Sequence, residues 1–226
     1  MKKHIFFSAI LISYLLSLIS TSAFAQEETI DAKANAILQS LDKKTKTYKT
    51  IKAEFTLTIY GKDGKPGDAQ TGTIWINGAK YKLDLKNQTI FCDSSTTWTY
   101  LKDANEVQIN NVDPNSDKGS LSPSTIFTVY EKGFKSHFEK EETTNNVTTE
   151  EVDLYPKHPE KEKYHTIKLF IDKAKNQVTE VKIMMKDGTT QLYMIDKFTP
   201  NSAMPLSDFT FDPKSYPGVD VEDLRQ

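Results

Sequence analysis

From residue 51 to residue 60 apolar and polar side chains alternate. Ile51, Ala53, Phe55, Leu57 and Ile59 fall on one side, and Lys52, Glu54, Thr56, Thr58 and Tyr60 on the other. A period of two predicts a strand with one buried and one wet face. The same alternation recurs over 79–86, where Tyr81, Leu83 and Leu85 are interleaved with Lys80, Lys82, Asp84 and Lys86. Between them, Gly61 to Gly67 is a turn cluster, 70–77 reads as a second strand, and Asn77-Gly78 is a hairpin signal. Further strands are predicted at 88–92, 96–101, 106–110, 134–140, 147–155, 164–171, 178–186 and 189–198, with Asp187-Gly188 a second hairpin turn. Pro200 to Pro205 breaks the pattern. Ser207 to Phe211 is expected to be a last short strand, followed by an extended tail to Arg225. Short strands joined by turns predict an antiparallel meander.

Two segments change the period. Over 29–45 the residues Ile30, Ala34, Ile37, Leu38 and Leu41 form one apolar stripe, which predicts an amphipathic helix with Thr29 as its N-cap. After a polar loop at 112–121, Ser122-Pro123 resembles the start of a short helix running to Lys132, with Gly133 as its stop. Its residues Ile126, Phe127, Val129 and Tyr130 are more apolar than a surface helix needs, as in a movable cover. Few helices and many strands place the chain in a mostly β class, as one sheet-dominated domain.

The N-terminus is read differently. Lys2 and Lys3 precede an apolar run from Ile5 to Ile19, and Ala23-Phe24-Ala25 supplies a small-x-small site. This is the pattern of a secretory signal peptide, cut after Ala25. Removing 25 of the 226 residues leaves 201 (26–226), enough for a single domain with its own core. No second long apolar run follows, so a soluble exported product is expected. Cys92 lies far from the junction, so the mature N-terminus carries no lipidation cysteine. The formal charge of −2 becomes −4 once Lys2 and Lys3 leave, which excludes a strongly basic nucleic-acid binder. One cysteine forms no internal disulfide, so stability rests on the core.

Catalytic signatures are missing. His137, His158 and His165 lack metal-site spacing, and no nucleophile-elbow, metalloprotease, phosphate-loop or dinucleotide pattern occurs. Glu141-Glu142 and Glu150-Glu151 are adjacent pairs, and neighbours in a strand point to opposite faces rather than forming a dyad. The expectation is a protein that is not an enzyme and takes no cofactor or metal.

The alternating strands offer one continuous apolar face, which either packs on its own helices or binds an apolar ligand. Here the motifs resemble the periplasmic outer-membrane lipoprotein carrier family LolA. After an N-terminal amphipathic helix comes Ile51-Lys52-Ala53-Glu54-Phe55, then Gly72-Thr73-Ile74-Trp75-Ile76, similar to the family's G-x-L-W-V strand. Thr97-Trp98-Thr99-Tyr100 with Glu106-Val107-Gln108 resembles its W-x-Y and Q segment. Phe209-Thr210-Phe211-Asp212-Pro213 and Pro217-Gly218-Val219-Asp220-Val221-Glu222-Asp223 resemble its ending. The resemblance implies an open antiparallel half-barrel whose concave apolar face is covered by the N-terminal helix and a short helical lid. On that basis Tyr81, Leu83 and Leu85, with Phe55, Leu57, Trp75, Trp98 and Tyr100, are the candidate acyl-chain wall. Ile126, Phe127, Val129 and Tyr130 are the candidate lid. One departure stands out: the family's Arg-Pro after the Trp strand is absent, the chain's one arginine is Arg225, and Lys80 is an offset substitute without the guanidinium fork.

The function implied is a monomeric periplasmic chaperone that binds the acyl chains of lipoproteins and carries them from the inner to the outer membrane. Its partners would be acylated lipoproteins, an inner-membrane lipoprotein-releasing transporter and an outer-membrane receptor, with no nucleic acid. The alternatives are a similar half-barrel that binds another lipid or senses envelope state, and a hydrolase of envelope lipids. The leader generates the first prediction. N-terminal sequencing of the exported protein is expected to begin at Gln26; a chain that still begins at Met1 would contradict the cleavage.

Overall fold

The structure, a computed structural model, describes residues 24–112, 125–131 and 133–225. The period-two segments all form strands: β1 (Ile51–Tyr60), β2 (Gln70–Asn77), β3 (Lys80–Leu85), β4 (Gln88–Cys92), β5 (Thr96–Leu101), β6 (Glu106–Asn111), β7 (Phe134–Thr144), β8 (Val147–Pro156), β9 (Tyr164–Asp172), β10 (Gln177–Met185) and β11 (Thr190–Pro200). A further strand, β12 (Asp220–Asp223), was not expected from the sequence. All twelve lie in one open sheet of order β12-β6-β5-β4-β3-β2-β1-β11-β10-β9-β8-β7. The long-range closure is β1 against β11, antiparallel from Ile51 opposite Pro200 to Tyr60 opposite Thr190. Asp196 is the extra residue of a bulge there, and its carboxylate accepts from Thr56 Oγ1 at 2.8 Å.

Turn chemistry sets the hairpins. Gly78 takes φ 59° between β2 and β3. Asn145 and Asn146 take φ 51° and 63° between β7 and β8, the two left-handed residues of a tight hairpin. That Asn-Asn pair explains why β7 runs to Thr144, four residues past its expected end.

The mostly β class and the covering N-terminal helix are as expected, and four details differ. Helix α1 (Phe24–Thr45) begins before Thr29, so Thr29 lies inside it rather than capping it. In place of an α-helix to Lys132, residues 125–128 form turns and Val129–Glu131 a single 3-10 turn; residues 113–124 and 132 lie outside the described set, as does the leader at 1–23. Ser207 to Phe211 is not a strand, because Leu206–Phe209 winds into a 3-10 turn after Pro205. The tail is not merely extended: β12 pairs in parallel with β6, a departure from the otherwise antiparallel pairing of the described strands.

The main core lies on one face, termed inner here. It holds Ile51, Ala53 and Phe55 of β1, Ile74 and Ile76 of β2, Leu83 of β3, Val152 and Leu154 of β8, Ile167, Leu169 and Ile171 of β9, and Val178, Val181 and Ile183 of β10. From α1 the stripe Ala34, Ile37, Leu38 and Leu41 joins it. The helix is tied down at both flanks. Lys33 Nζ lies 3.6 Å from the Phe138 ring centre, and Ser136 donates to Asn35 Oδ1 at 3.1 Å. Asn176 donates to Ser40 at 2.9 Å, and Lys44 Nζ bonds the Lys175 carbonyl.

A second, smaller core sits on the outer face. There the tail crosses β3 to β6 and packs Phe211 onto Phe91, Val107 and Tyr100, with Tyr216 stacked on Phe211 at 4.5 Å. Asp212 caps the turn at Pro213–Ser215 by accepting from the Lys214 N–H. Phe209 is fully buried at the head of this strap, against β3 and β4. Phe209→Ala is therefore expected to destabilise the fold by about 3–5 kcal/mol. Urea unfolding checks this, and a loss well under 1 kcal/mol would show that the strap packs loosely.

Candidate functional site

Register decides which side chains share the inner wall. Across β1, β2 and β3 the rows are Ile51–Ile76–Tyr81, Ala53–Ile74–Leu83 and Phe55–Gly72–Leu85. β11 extends them, with Ile195 opposite Phe55 and Tyr193 opposite Leu57. Five of the eight predicted wall residues, Phe55, Leu57, Tyr81, Leu83 and Leu85, thus meet on the inner face. The Phe55 and Tyr193 rings lie 6.1 Å apart, and burial raises the Tyr193 hydroxyl pKa.

Gly72 has a specific task in this wall. A Cβ there would stand 2.7 Å from both Leu85 Cδ2 and Phe55 Cζ. The missing side chain lets Phe55 and Leu85 close over β2. In the sequence this glycine stands within the Gly72–Ile76 motif, and a glycine inside an alternating strand is the signal for such an approach.

The other three predicted residues are not brought to this wall. Trp75 alternates with the inward Ile74 and Ile76, so it faces outward, and the register carries that outer row through Lys82 and Phe91 to Trp98. Lys52 and Lys82 place their ammonium groups 5.4 and 5.6 Å from the Trp75 ring. Tyr100 is two residues beyond Trp98 on the same face, where its ring meets Tyr216 at 4.5 Å and its hydroxyl donates to Asn105 Oδ1 at 3.0 Å. Lys80, the residue offset from the missing arginine, donates to the Asp93 carbonyl at 2.8 Å and so is tied to the β4–β5 turn.

The four predicted lid residues are buried against the inner core. Phe127 meets Phe198 edge-on at 5.6 Å, and Tyr48 meets the same Phe198 ring at 5.7 Å. Tyr130 donates to Thr45 Oγ1 of α1 at 3.2 Å, and burial, with Asp42 and Glu131 nearby, pushes its pKa up to about 12. The space left among Leu41, Thr45, Tyr48, Phe127, Val178 and Phe198 is about 10 Å³, room for a single water at most. This end of the inner face is filled.

The outer face of the far strands is ionic. Lys168 lies 2.9 Å from Glu151 and 2.8 Å from Asp153, both buried. Burial would lower the Lys168 pKa, but the two carboxylates outweigh it and hold it above its usual value. Glu150 points to the other face, 3.9 Å from Lys173, so the adjacent glutamates do not form a dyad. Among the described residues no group of three His, Cys, Asp or Glu could hold a metal, and no helix is long and apolar enough to cross a membrane.

Residues 46–212 match the family described as outer membrane lipoprotein carrier protein LolA. No curated protein matches the chain. An uncharacterized conserved protein from Thermus thermophilus is similar in fold, with TM-score 0.54 and 12% identity over 86% of this chain and 99% of that one. A putative outer membrane lipoprotein-sorting protein domain from Vibrio parahaemolyticus gives 0.46 and 11% over 80% and 97%. The Mycobacterium tuberculosis lipoprotein LppX gives 0.48 and 10% over 78% and 99%. At such identities the likeness concerns the fold alone.

The closed wall generates a prediction. Leu83 is buried at the centre of the inner rows, so Leu83→Glu places an unpaired carboxylate there and is expected to destabilise by about 3–5 kcal/mol. Thermal unfolding checks it; an unchanged midpoint would mean that the wall is hydrated.

Proposed function

The chain belongs to the outer membrane lipoprotein carrier protein LolA family, and on that premise we propose that it shields the acyl chains of lipoproteins against its inner face and carries them across the periplasm. The observation that carries this reading is the continuous apolar inner face, closed over by the short apolar segment 125–131. Each methylene moved out of water is worth about 0.8 kcal/mol, so one acyl chain of a dozen or so carries roughly 10 kcal/mol. Such a cargo crosses an aqueous space only when covered. No chain fits beside Phe127 and Phe198 as they stand, so in this reading loading draws Ile126, Phe127, Val129 and Tyr130 away from that end. Cargo would come from an inner-membrane lipoprotein-releasing transporter and pass to an outer-membrane receptor, and the carrier performs no covalent chemistry. The tie of Lys80 to Asp93 leaves the handover without the arginine of the family pattern.

The placement of the tryptophans supplies a test. Trp75 and Trp98 face outward, so acyl chains brominated near the tail are expected to quench native fluorescence weakly on binding. In Tyr81→Trp the new indole faces inward and is expected to be quenched strongly by the same brominated triacyl peptide. Titration of both proteins distinguishes the outcomes. Absence of binding, or equal quenching in both, would overturn the carrier reading. Free phospholipid that copurifies and excludes the acyl peptide would favour a lipid-binding role instead.

A further inference from the structure

We propose that hydrocarbon chains enter the half-barrel tail-first at one end of the inner face, through a mouth framed by Leu57, Ile59, Leu85 and Tyr193. This rests on reading the inner face as the acyl site and adds where that site opens.

The burial of β1 runs in one direction. On its inward row Ile51, Ala53 and Phe55 are 8%, 0% and 7% exposed, Leu57 is half-buried, and Ile59 is 43% exposed. Ile59 continues the row without a break in register, opposite Gln191 as Leu57 is opposite Tyr193. β2 agrees, passing from buried Ile76 and Ile74 to exposed Gln70, while on β3 buried Leu83 lies between half-buried Tyr81 and Leu85.

The opposite end of the inner face is sealed. There Tyr48, Phe198 and Phe127 stack beside Leu41 and Val178, around a residual space of about 10 Å³. At the mouth end the far strands are sealed too, by buried Tyr164 stacked on Phe134 at 6.3 Å. At that end the exposed inner row is the one on β1, with β2 beside it.

Ile59 also differs from the other exposed large apolar side chains of the sheet. Val147, Tyr155, Met194 and Val221 belong to the outer face by register, and none of them continues a buried inner row. An isolated exposed apolar residue is ordinary, whereas one continuous with the core is an edge of an apolar surface. Just beyond the mouth the chain becomes polar, with Gln70, Gln191, Lys62, Asp63 and Lys65. That order, hydrocarbon inside and charge at the rim, fits an amphiphile whose polar end stays in water.

The test compares Ile59→Glu with Met194→Glu, a control on the neighbouring strand that is 48% exposed and faces the other way. The probe is a triacylated peptide with a dansyl group on the peptide, and thermal unfolding is measured in parallel. Both variants are expected to fold. Ile59→Glu is expected to weaken binding by about tenfold or more, and Met194→Glu by less than about twofold. A photo-crosslinking residue at position 59 gives a readout that does not need the glutamate. It is expected to capture the triacylated peptide itself within the first seconds of mixing, before one at position 48 does. Equal binding by the two glutamate variants, or earlier capture at 48, would overturn the mouth while leaving the carrier reading intact. Failure of the unmodified protein to bind the peptide would remove both.

Discussion

One helix cannot cover one face of a twelve-stranded sheet. A helix with its side chains is about 10–12 Å across, while strands are spaced about 4.8 Å apart, so α1 shields little more than two of them. The sheet meets this constraint by curling, so that its inner face becomes its own partner. Leu83 on β3 and Leu169 on β9 then belong to one continuous core although they lie far apart in the sheet order. The Asp196 bulge in the β1–β11 pairing adds a local bend, as do the bulges in the β9–β10 and β7–β8 pairings. Gly72 belongs to the same solution, because on a tightly curved wall there is room for Phe55 and Leu85 only where β2 contributes no side chain.

Curling solves the inner face and leaves the outer one to be finished, and the two halves finish it differently. Over β3 to β6 the C-terminal strap adds a second apolar layer, so Phe91, Tyr100 and Val107 are covered on the side away from the main core. Over β8 and β9 the outer face instead pairs half-buried Lys168 with the buried Glu151 and Asp153. Paired charges of this kind tolerate burial because each is satisfied, whereas a lone member would be costly. β12 adds a parallel strand that pairs the β6 edge, and the acidic side chains Asp220, Glu222 and Asp223 line the new edge.

This division explains what the sequence did and did not reveal. Strand positions were legible because alternation is a local signal, and so was the inward set of β3, where Lys80, Lys82 and Asp84 leave only Tyr81, Leu83 and Leu85 to face a core. The tryptophans were misplaced for a non-local reason. In β5, Trp98 and Tyr100 are the bulky set and Thr97 and Thr99 the small one, so alternation alone points the aromatics to the main core. Only the register through Phe91 and Lys82 to Trp75, together with a strap from residues 209–219, shows that they serve the outer layer. For Trp75 the signal was present, since Ile74 and Ile76 flank it and cannot share its face. The 125–131 segment was legible as unusually apolar but not as a 3-10 turn, because its burial rather than its periodicity fixes its shape.

The burial of Ile126, Phe127, Val129 and Tyr130 bears directly on how a carrier of this construction would exchange cargo. Burying an apolar side chain is worth about 1.5–3 kcal/mol, so Ile126, Phe127, Val129 and Tyr130 together hold the closed form by roughly 6–12 kcal/mol before ordering costs. An acyl chain offers roughly 10 kcal/mol for the same surface. The two are comparable in size, which is what a carrier requires. A much weaker cover would leave the apolar face open to water and to aggregation, and a much stronger one would never yield to cargo. The polar tie from Tyr130 to Thr45 suits this balance, because a neutral hydrogen bond contributes about 1 kcal/mol and fixes the register of closure without deciding its stability. In a carrier, such an exchange would substitute one apolar surface for another, with the hydrophobic driving force nearly cancelled.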